Sequence, residues 1–331
     1  MPLLDILNNI SVLVVGDLML DRYLWGDVHR ISPEAPVPIV QVENETSTAG
    51  GAANVALNLA SLKVNSEVFG VIGSDSSGER LTAILNAANV LTEKIVKRDS
   101  IETITKSRVM AQGQQICRID REGGSCKYGL SNHELDLLKE RVLCHDAVII
   151  SDYAKGVVSQ ELLHELRTIS KKKSIFIAVD PKPKRSLDLS GINLITPNKK
   201  EALEMAGACE HSRDVSLESI CKSIRYKYNP EYLAITLSED GILMCQRGGE
   251  INRFPTNVQE VADVSGAGDT VVAVLTAALT VGIDANSATE MANLAAGIVV
   301  GKLGTATVSR KELESELTRV AIKNTGIAVQ K

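Results

Sequence analysis

Short apolar runs that stop at a glycine or a polar residue recur along this chain, and most lead into stretches with helical spacing. The runs are Ile10-Ser-Val-Leu-Val-Val-Gly16, Val68-Phe-Gly-Val-Ile-Gly73, Ala147-Val-Ile-Ile-Ser-Asp152, Ile175-Phe-Ile-Ala-Val-Asp180, Leu194-Ile-Thr-Pro-Asn198 and Leu233-Ala-Ile-Thr-Leu237. They are short, β-branched and apolar throughout, the pattern of strands covered on both faces. Helices are expected at Val55–Leu62, at about 77–88 with Asp75 as cap, at 131–143, at 159–173, and from Asn198 through Glu201. A hairpin is expected from Ile242–Cys245 and Glu250–Phe254, then helices at 267–281, 286–300 and 309–320. Strand–helix–strand rhythm implies right-handed βαβ units. The expected fold is an α/β, doubly wound, mostly parallel sheet with helices on both faces.

Two stretches break the rhythm. In residues 22–45, prolines punctuate Arg30-Ile-Ser-Pro-Glu-Ala-Pro-Val-Pro38 before an alternating run, and residues 101–121 alternate as well. Prolines confine such strands to an edge or a separate small sheet. A small β lid projecting from a single domain over 1–331 is therefore expected, and apolar lid strands favour a homodimer.

Composition narrows the class. Only 3% of the residues are aromatic while 44% are hydrophobic, so the core must be built from Val, Ile, Leu and Ala. A net charge of −5 argues against nucleic acid and anionic membrane surfaces, and no apolar run is long enough to span a bilayer. The N-terminus lacks the basic region of a signal peptide. The six cysteines, at 117, 126, 144, 209, 221 and 245, form no C-x-x-C pair, which suits reduced thiols in the cytoplasm.

The chemistry centres on Asp263-Val-Ser-Gly-Ala-Gly-Asp269, just ahead of a small-residue helical run. Gly266, Ala267 and Gly268 allow a tight turn whose N–H groups point outward, and the helix adds partial positive charge: an anion hole suited to a phosphoryl group. Asp269 at its mouth fits a proton acceptor for an attacking hydroxyl. The plainer alternative is a glycine-rich turn with Asp269 as a helix cap. Acids also gather at the carboxyl ends of the strands, where open α/β sheets bind ligands: Asp17, Asp21, Asp152, Asp180, and Asn198 with Glu201. Asp17 and Asp21 suit sugar hydroxyls, or else cap helices. Asn54, after Gly50-Gly-Ala-Ala, could also bond a hydroxyl. Lys106, Arg108 and Arg118 make the lid locally basic, as a phosphorylated substrate or a solvated face would require.

Gly50-Gly-Ala-Ala-Asn54, Asn198-Lys-Lys-Glu201 and Asp263-Val-Ser-Gly-Ala-Gly-Asp269, in this order, resemble the ribokinase-like (phosphofructokinase-B) sugar kinases over the whole chain. Val14-Val-Gly-Asp-Leu-Met-Leu-Asp-Arg-Tyr23, Arg30 to Pro38, Ser151-Asp-Tyr-Ala-Lys-Gly156, Thr196-Pro-Asn198 and Val300-Gly-Lys-Leu-Gly-Thr305 resemble the branch that phosphorylates a heptose 7-phosphate. The resemblance implies Asp269 as base, with Gly266, Ala267 and Gly268 as anion hole. It implies Asn198 and Glu201 for Mg²⁺, Glu201 acting through water, and for the ATP phosphates. Thr236, Ser238 and Gly241 would lie along the nucleotide, with Asn293 and Ala296 walling the adenine. Asp17, Gly50, Gly51 and Asn54 would bind sugar. Lys106, Arg108, Arg118 and Lys155 would be candidates for the substrate phosphate, and Asp152 would line the same side. Asp263, Ser265 and Gly304 would lie near a K⁺ site, although Val264-Ser265 departs from the family's usual Thr at the first position. That branch is often fused to an adenylyltransferase. A stand-alone kinase is expected here, with adenylyltransferase and phosphatase as separate proteins. The rivals are a kinase for ribose, fructose 6-phosphate or a nucleoside, and a non-catalytic sugar- or nucleotide-binding module. A dinucleotide-binding dehydrogenase would need G-x-G-x-x-G where the chain has Gly16-Asp-Leu-Met-Leu-Asp21.

Overall fold

The structure is a computed structural model that describes residues 3–208, 216–256 and 262–325; Cys209 lies outside them. In chain order the elements are β1 (Ser11–Gly16), β2 (Leu18–Ile31), β3 (Pro38–Gly51), α1 (Ala52–Ser61), β4 (Asn65–Phe69), β5 (Val71–Gly73), α2 (Ser76–Ala87), β6 (Val96–Arg98), β7 (Ile104–Ala111), β8 (Gln114–Arg121), α3 (Asn132–Val142), β9 (Ala147–Ser151), α4 (Gln160–Lys173), β10 (Phe176–Asp180), β11 (Leu194–Ile195), α5 (Lys199–Met205), α6 (Leu217–Tyr228), β12 (Tyr232–Thr236), β13 (Ile242–Gln246), β14 (Ile251–Phe254), α7 (Ala267–Thr280), α8 (Ala285–Val300) and α9 (Arg310–Thr325).

The main sheet has eight strands in the order β14-β13-β12-β11-β10-β9-β1-β4. From β12 to β4 all neighbours are parallel, and the β12–β13–β14 edge is antiparallel. Alternate side chains of these strands feed two cores. Val12 and Val14 face a layer holding α1, α7 and α8, while Leu13 and Val15 face one holding α3, α4 and α6. The expected doubly wound α/β architecture is what forms. Ser131 with Glu134 and Asn198 with Glu201 close capping boxes on α3 and α5, and Asp75 caps α2.

The run expected as one strand at 68–73 is two. β4 ends at Phe69 in the main sheet, and β5 pairs with β6 instead. Gly70 makes the break, because a Cβ there would lie 2.6 Å from the Gly16 carbonyl oxygen. The short β6 and the amphipathic α6 had no counterpart in the expected elements.

The lid is a separate four-stranded sheet in the order β3-β2-β7-β8. The prolines mark its ends: Pro33 and Pro36 lie in the connection and Pro38 opens β3. Large apolar side chains exposed on it are Ile31, Val37, Val42, Ile116 and Ile119.

Candidate active site

α7 begins at Ala267 because Gly266, at φ 83°, turns the chain into it. Glycine is required there twice over: that φ disfavours side chains, and a Cβ would lie 2.8 Å from Asn54 Nδ2. The first-turn amides of a helix have no intrahelical acceptor, and a Cβ built on Gly268 would meet open space. An anion can therefore approach the Gly266–Gly268 backbone directly.

Asp269 is buried within this turn, on the side facing α1 and the loop after β9. Asn54 Nδ2 donates to its Oδ2 at 2.8 Å, and the Tyr153 hydroxyl donates to its Oδ1 at 2.8 Å. Burial raises the Asp269 carboxyl to about 6 against these two bonds, which pull it down; Asp21 adds to the rise and Lys182 opposes it. A carboxylate held on both oxygens and raised toward neutrality has the setting a proton acceptor needs, which an exposed helix cap lacks. Asn54 is also fully buried, and its Oδ1 has no hydrogen-bond partner among the described residues, an acceptor open to a hydroxyl.

Tyr153 escaped the sequence reading as a site residue, although Ser151-Asp-Tyr-Ala-Lys-Gly156 was noted. Burial, then Asp269, pushes its hydroxyl well above its usual value, so it stays a donor. The ammonium of Lys182 sits 5.9 Å from the Tyr153 ring centre and pairs with Glu201. Glu201 also accepts the Asn198 N–H at 2.9 Å. Asp180 lies in the same cluster: burial, then Glu201 and Asp269, push its carboxyl well above the usual range. Asp180, Glu201 and Asp269 thus form one acidic cluster, its charge partly offset by Lys182. Among the described residues no group of three or more His, Cys, Asp or Glu is arranged to hold a metal ion directly.

Asp17, expected at the sugar, is built into the loop after β9. It is completely buried and accepts from the backbone N–H groups of Tyr153 at 2.9 Å, Lys155 at 3.0 Å and Val157 at 3.1 Å. These bonds shape the loop after β9, where Ala154 is held at φ 58°. Asp152 accepts the Ala154 N–H at 2.8 Å in the same loop and pairs with Arg185. Asp21 is the acid that faces the base. It pairs with Arg108 at 2.6 Å, and a Cβ on Gly50 would lie 2.4 Å from its Oδ2. Gly51, at φ 58°, lets the chain turn from β3 into α1, where the Ala52 N–H bonds the Asp17 carbonyl.

The β2–β7–β8 register puts Asp21 opposite Lys106, Lys106 opposite Asp120, and Arg108 opposite Arg118, so one lid face carries all five. Each expected phosphate clamp has an acidic partner. Arg118 grips Asp120 at 2.8 and 3.0 Å, Lys106 reaches it at 3.3 Å, and Lys155 meets Glu122 at 2.5 Å.

On the opposite flank Asn198 bridges to Thr236, and Ser238 and Gly241 follow in the turn into β13. Gly241, at φ 88°, lies so close to Phe254 that a Cβ would clash with its carbonyl oxygen. Asn293 donates to the Pro255 carbonyl at 2.9 Å, tying α8 to the same corner, and Ala296 lies one turn along. Asp263 accepts the N–H groups of Ser265 at 2.9 Å and Gly304 at 3.2 Å, so these three residues do converge.

A buried carboxylate at a helix-borne anion hole, faced by lid strands carrying Lys106, Arg108 and Arg118 in ion pairs, is a setting suited to phosphoryl transfer. The profile described as pfkB family carbohydrate kinase matches residues 9–312. The chain belongs to the pfkB family of carbohydrate kinases. It is 42% identical over 311 residues to the bifunctional protein HldE of Methylobacillus flagellatus, and 41% over 306 to that of Campylobacter fetus. Each alignment covers 92% of this chain, but 63% and 66% of those proteins, so the chain spans about two thirds of their length. Among solved structures, Escherichia coli phosphofructokinase-2 in complex with substrates and products superposes with a TM-score of 0.78 at 20% identity, covering 94% of this chain and 99% of that one. Arabidopsis thaliana ribokinase complexed with ribose and ATP superposes at 0.74 and 19% identity, covering 93% and 98%. The ribokinase-like fold and the sugar-kinase class expected from the three motifs are both met. No helix among the described residues is long and apolar enough to cross a membrane.

Proposed function

We propose that this protein transfers the γ-phosphoryl group of ATP to the anomeric 1-hydroxyl of D-glycero-D-manno-heptose 7-phosphate, giving the 1,7-bisphosphate used in ADP-heptose and lipopolysaccharide-core synthesis. The observation that carries the reaction class is Asp269, fixed by Asn54 and Tyr153 beside the open first turn of α7. The choice of heptose 7-phosphate is supported by the motif resemblance and by the basic face of the lid.

The sugar hydroxyl sits against Asp269, which accepts its proton as the oxygen attacks phosphorus. Asn54 Oδ1 and Asp21 orient neighbouring hydroxyls. The amides of Gly266, Ala267 and Gly268 receive the transferred oxygens. Mg²⁺, when bound, neutralises phosphate charge; Glu201 would hold it through water, with Asn198 and Asp180 alongside. Thr236, Ser238, Gly241, Asn293 and Ala296 flank the nucleotide. Asp263, Ser265 and Gly304 form the corner where K⁺ would sit, and one of the phosphofructokinase-2 structures is described in complex with potassium. At the lid, the 7-phosphate exchanges with Asp120 and Asp21 for Lys106, Arg108 and Arg118, with Lys155 at the hinge. Closure of the lid then excludes water. The exposed apolar lid residues suit a second copy of the chain, and one solved phosphofructokinase-2 is described as tetrameric.

A coupled ADP-release assay across heptose 7-phosphate, ribose, fructose 6-phosphate and adenosine tests the substrate. The expected kcat/KM favours heptose 7-phosphate by about 100-fold or more. A preference for an unphosphorylated sugar would sink the assignment, and absence of ATP consumption with every sugar would favour a binding module.

A further inference from the structure

Two cysteines separated in sequence meet in the core on the nucleotide flank. Cys221 lies on the buried face of α6 with Ile220, Ile224 and Tyr228, and Cys245 lies on β13, where it shares a face with Leu243. Both are buried and both are free thiols, yet their sulfurs stand 2.8 Å apart. That is within about 0.8 Å of a covalent S–S bond. The other described cysteines, Cys117, Cys126 and Cys144, are exposed.

We propose that Cys221 and Cys245 are a reversible redox modification site, oxidised to an intrachain disulfide by thiol–disulfide exchange with a small disulfide such as oxidised glutathione. The bond staples α6 to β13, the strand next to the antiparallel edge of the main sheet. The other end of the same β12–β13 hairpin carries Thr236, Ser238 and Gly241.

The pair is chemically asymmetric. The Cys245 thiol donates to Cys221 Sγ, which holds Cys221 below its ordinary value against burial, while the same contact and burial push Cys245 up. Arg225, one turn further along α6, also favours charge on Cys221, and Glu218 opposes it. Cys221 is therefore the more nucleophilic sulfur, and since it is fully buried it meets the small disulfide when α6 opens locally from β13. It displaces one glutathione thiolate and forms a mixed disulfide. Cys245 then loses its proton and attacks Cys221 Sγ, releasing the second glutathione. Two thiols are oxidised and one glutathione disulfide is reduced to two thiols, so electrons and protons balance. The site does not depend on the identity of the sugar substrate.

The test uses the full chain with Cys117→Ser, Cys126→Ser and Cys144→Ser, so that exposed thiols do not compete. The folded protein is equilibrated in graded reduced and oxidised glutathione, quenched with acid, and its thiols are counted in denaturant. Loss of two thiols, a Cys221–Cys245 cross-linked peptide by mass spectrometry, and a rise in melting temperature of about 5 °C that dithiothreitol reverses are expected. Adding Cys221→Ala or Cys245→Ala should abolish both the thiol loss and the rise. If this background folds poorly, peptide mapping of the unmodified chain under the same buffers reads the same bond. Retention of both thiols at strongly oxidising ratios, a cross-link that involves Cys209 instead, or a disulfide that lowers the melting temperature would overturn the proposal.

Discussion

The start of α7 and the lid sheet are built on opposite plans. Around Asp269 the polar groups are buried and locked, with both carboxylate oxygens engaged and the loop that supplies Tyr153 pinned by Asp17. On the lid, cations and acids pair with one another from inside to outside: Arg108–Asp21 is largely buried, while the Arg118 side chain is 50% exposed and that of Asp120 30%. Preorganisation suits the place where charge develops, since fixed dipoles need not reorganise during reaction. Exchangeable ion pairs suit the place that must release one anion to take another, because exposed pairs are weak.

The sharpest way to break this contrast is Asp269→Asn. Loss of the proton acceptor should lower kcat by about 10³-fold or more with ATP binding retained by calorimetry. Near-normal turnover would return Asp269 to the status of a helix cap. Next is Tyr153→Phe, which should lower kcat roughly 10-fold or more and shift the pH profile. In the unaltered protein kcat/KM should fall as pH drops through about 6, as Asp269 becomes protonated. The Tyr153 bond pulls that carboxyl down, so its removal should move the acid limb to higher pH. A smaller effect is expected on the lid. Arg108→Gln should raise KM for heptose 7-phosphate about 10- to 100-fold and leave KM for ATP unchanged. The smallest is Asp120→Asn. Bonds from Arg118 and Lys106 hold the Asp120 carboxyl below its usual range despite burial, and freeing those cations should lower the sugar-phosphate KM by roughly 2- to 5-fold. A raised KM in that variant would show that Asp120 helps to bind the sugar rather than occupying the phosphate's place.

What could be read from the sequence follows the range of each signal. Most buried strands, the Asp75 and Asn198 caps and the glycine-rich turn are local, and they formed as their spacing implied. The lid strands were legible because proline and alternation are also local. Long-range pairings were not. Tyr153 is 116 residues from Asp269, and no periodicity connects them. Asp17 and Asp21 look alike on paper, both following the apolar run of β1. Only the fold shows that the first turns into backbone amides while the second turns toward Arg108. Lys182 had no distinguishing mark beside Pro181, and its contact with Glu201 depends on where β10 and α5 finish. The thiol pair of α6 and β13 was invisible for the same reason, since six scattered cysteines imply no partners.

The three amide bonds of Asp17 carry one more lesson. Replacing that residue with Asn would withdraw charge from a loop whose Ala154 is already contorted, and the Tyr153 hydroxyl would drift from the base. Such a variant would fail in a genetic screen as if it had lost a ligand contact. Part of that defect would be one of alignment, transmitted through the main chain from a fully buried side chain to the Tyr153 hydroxyl.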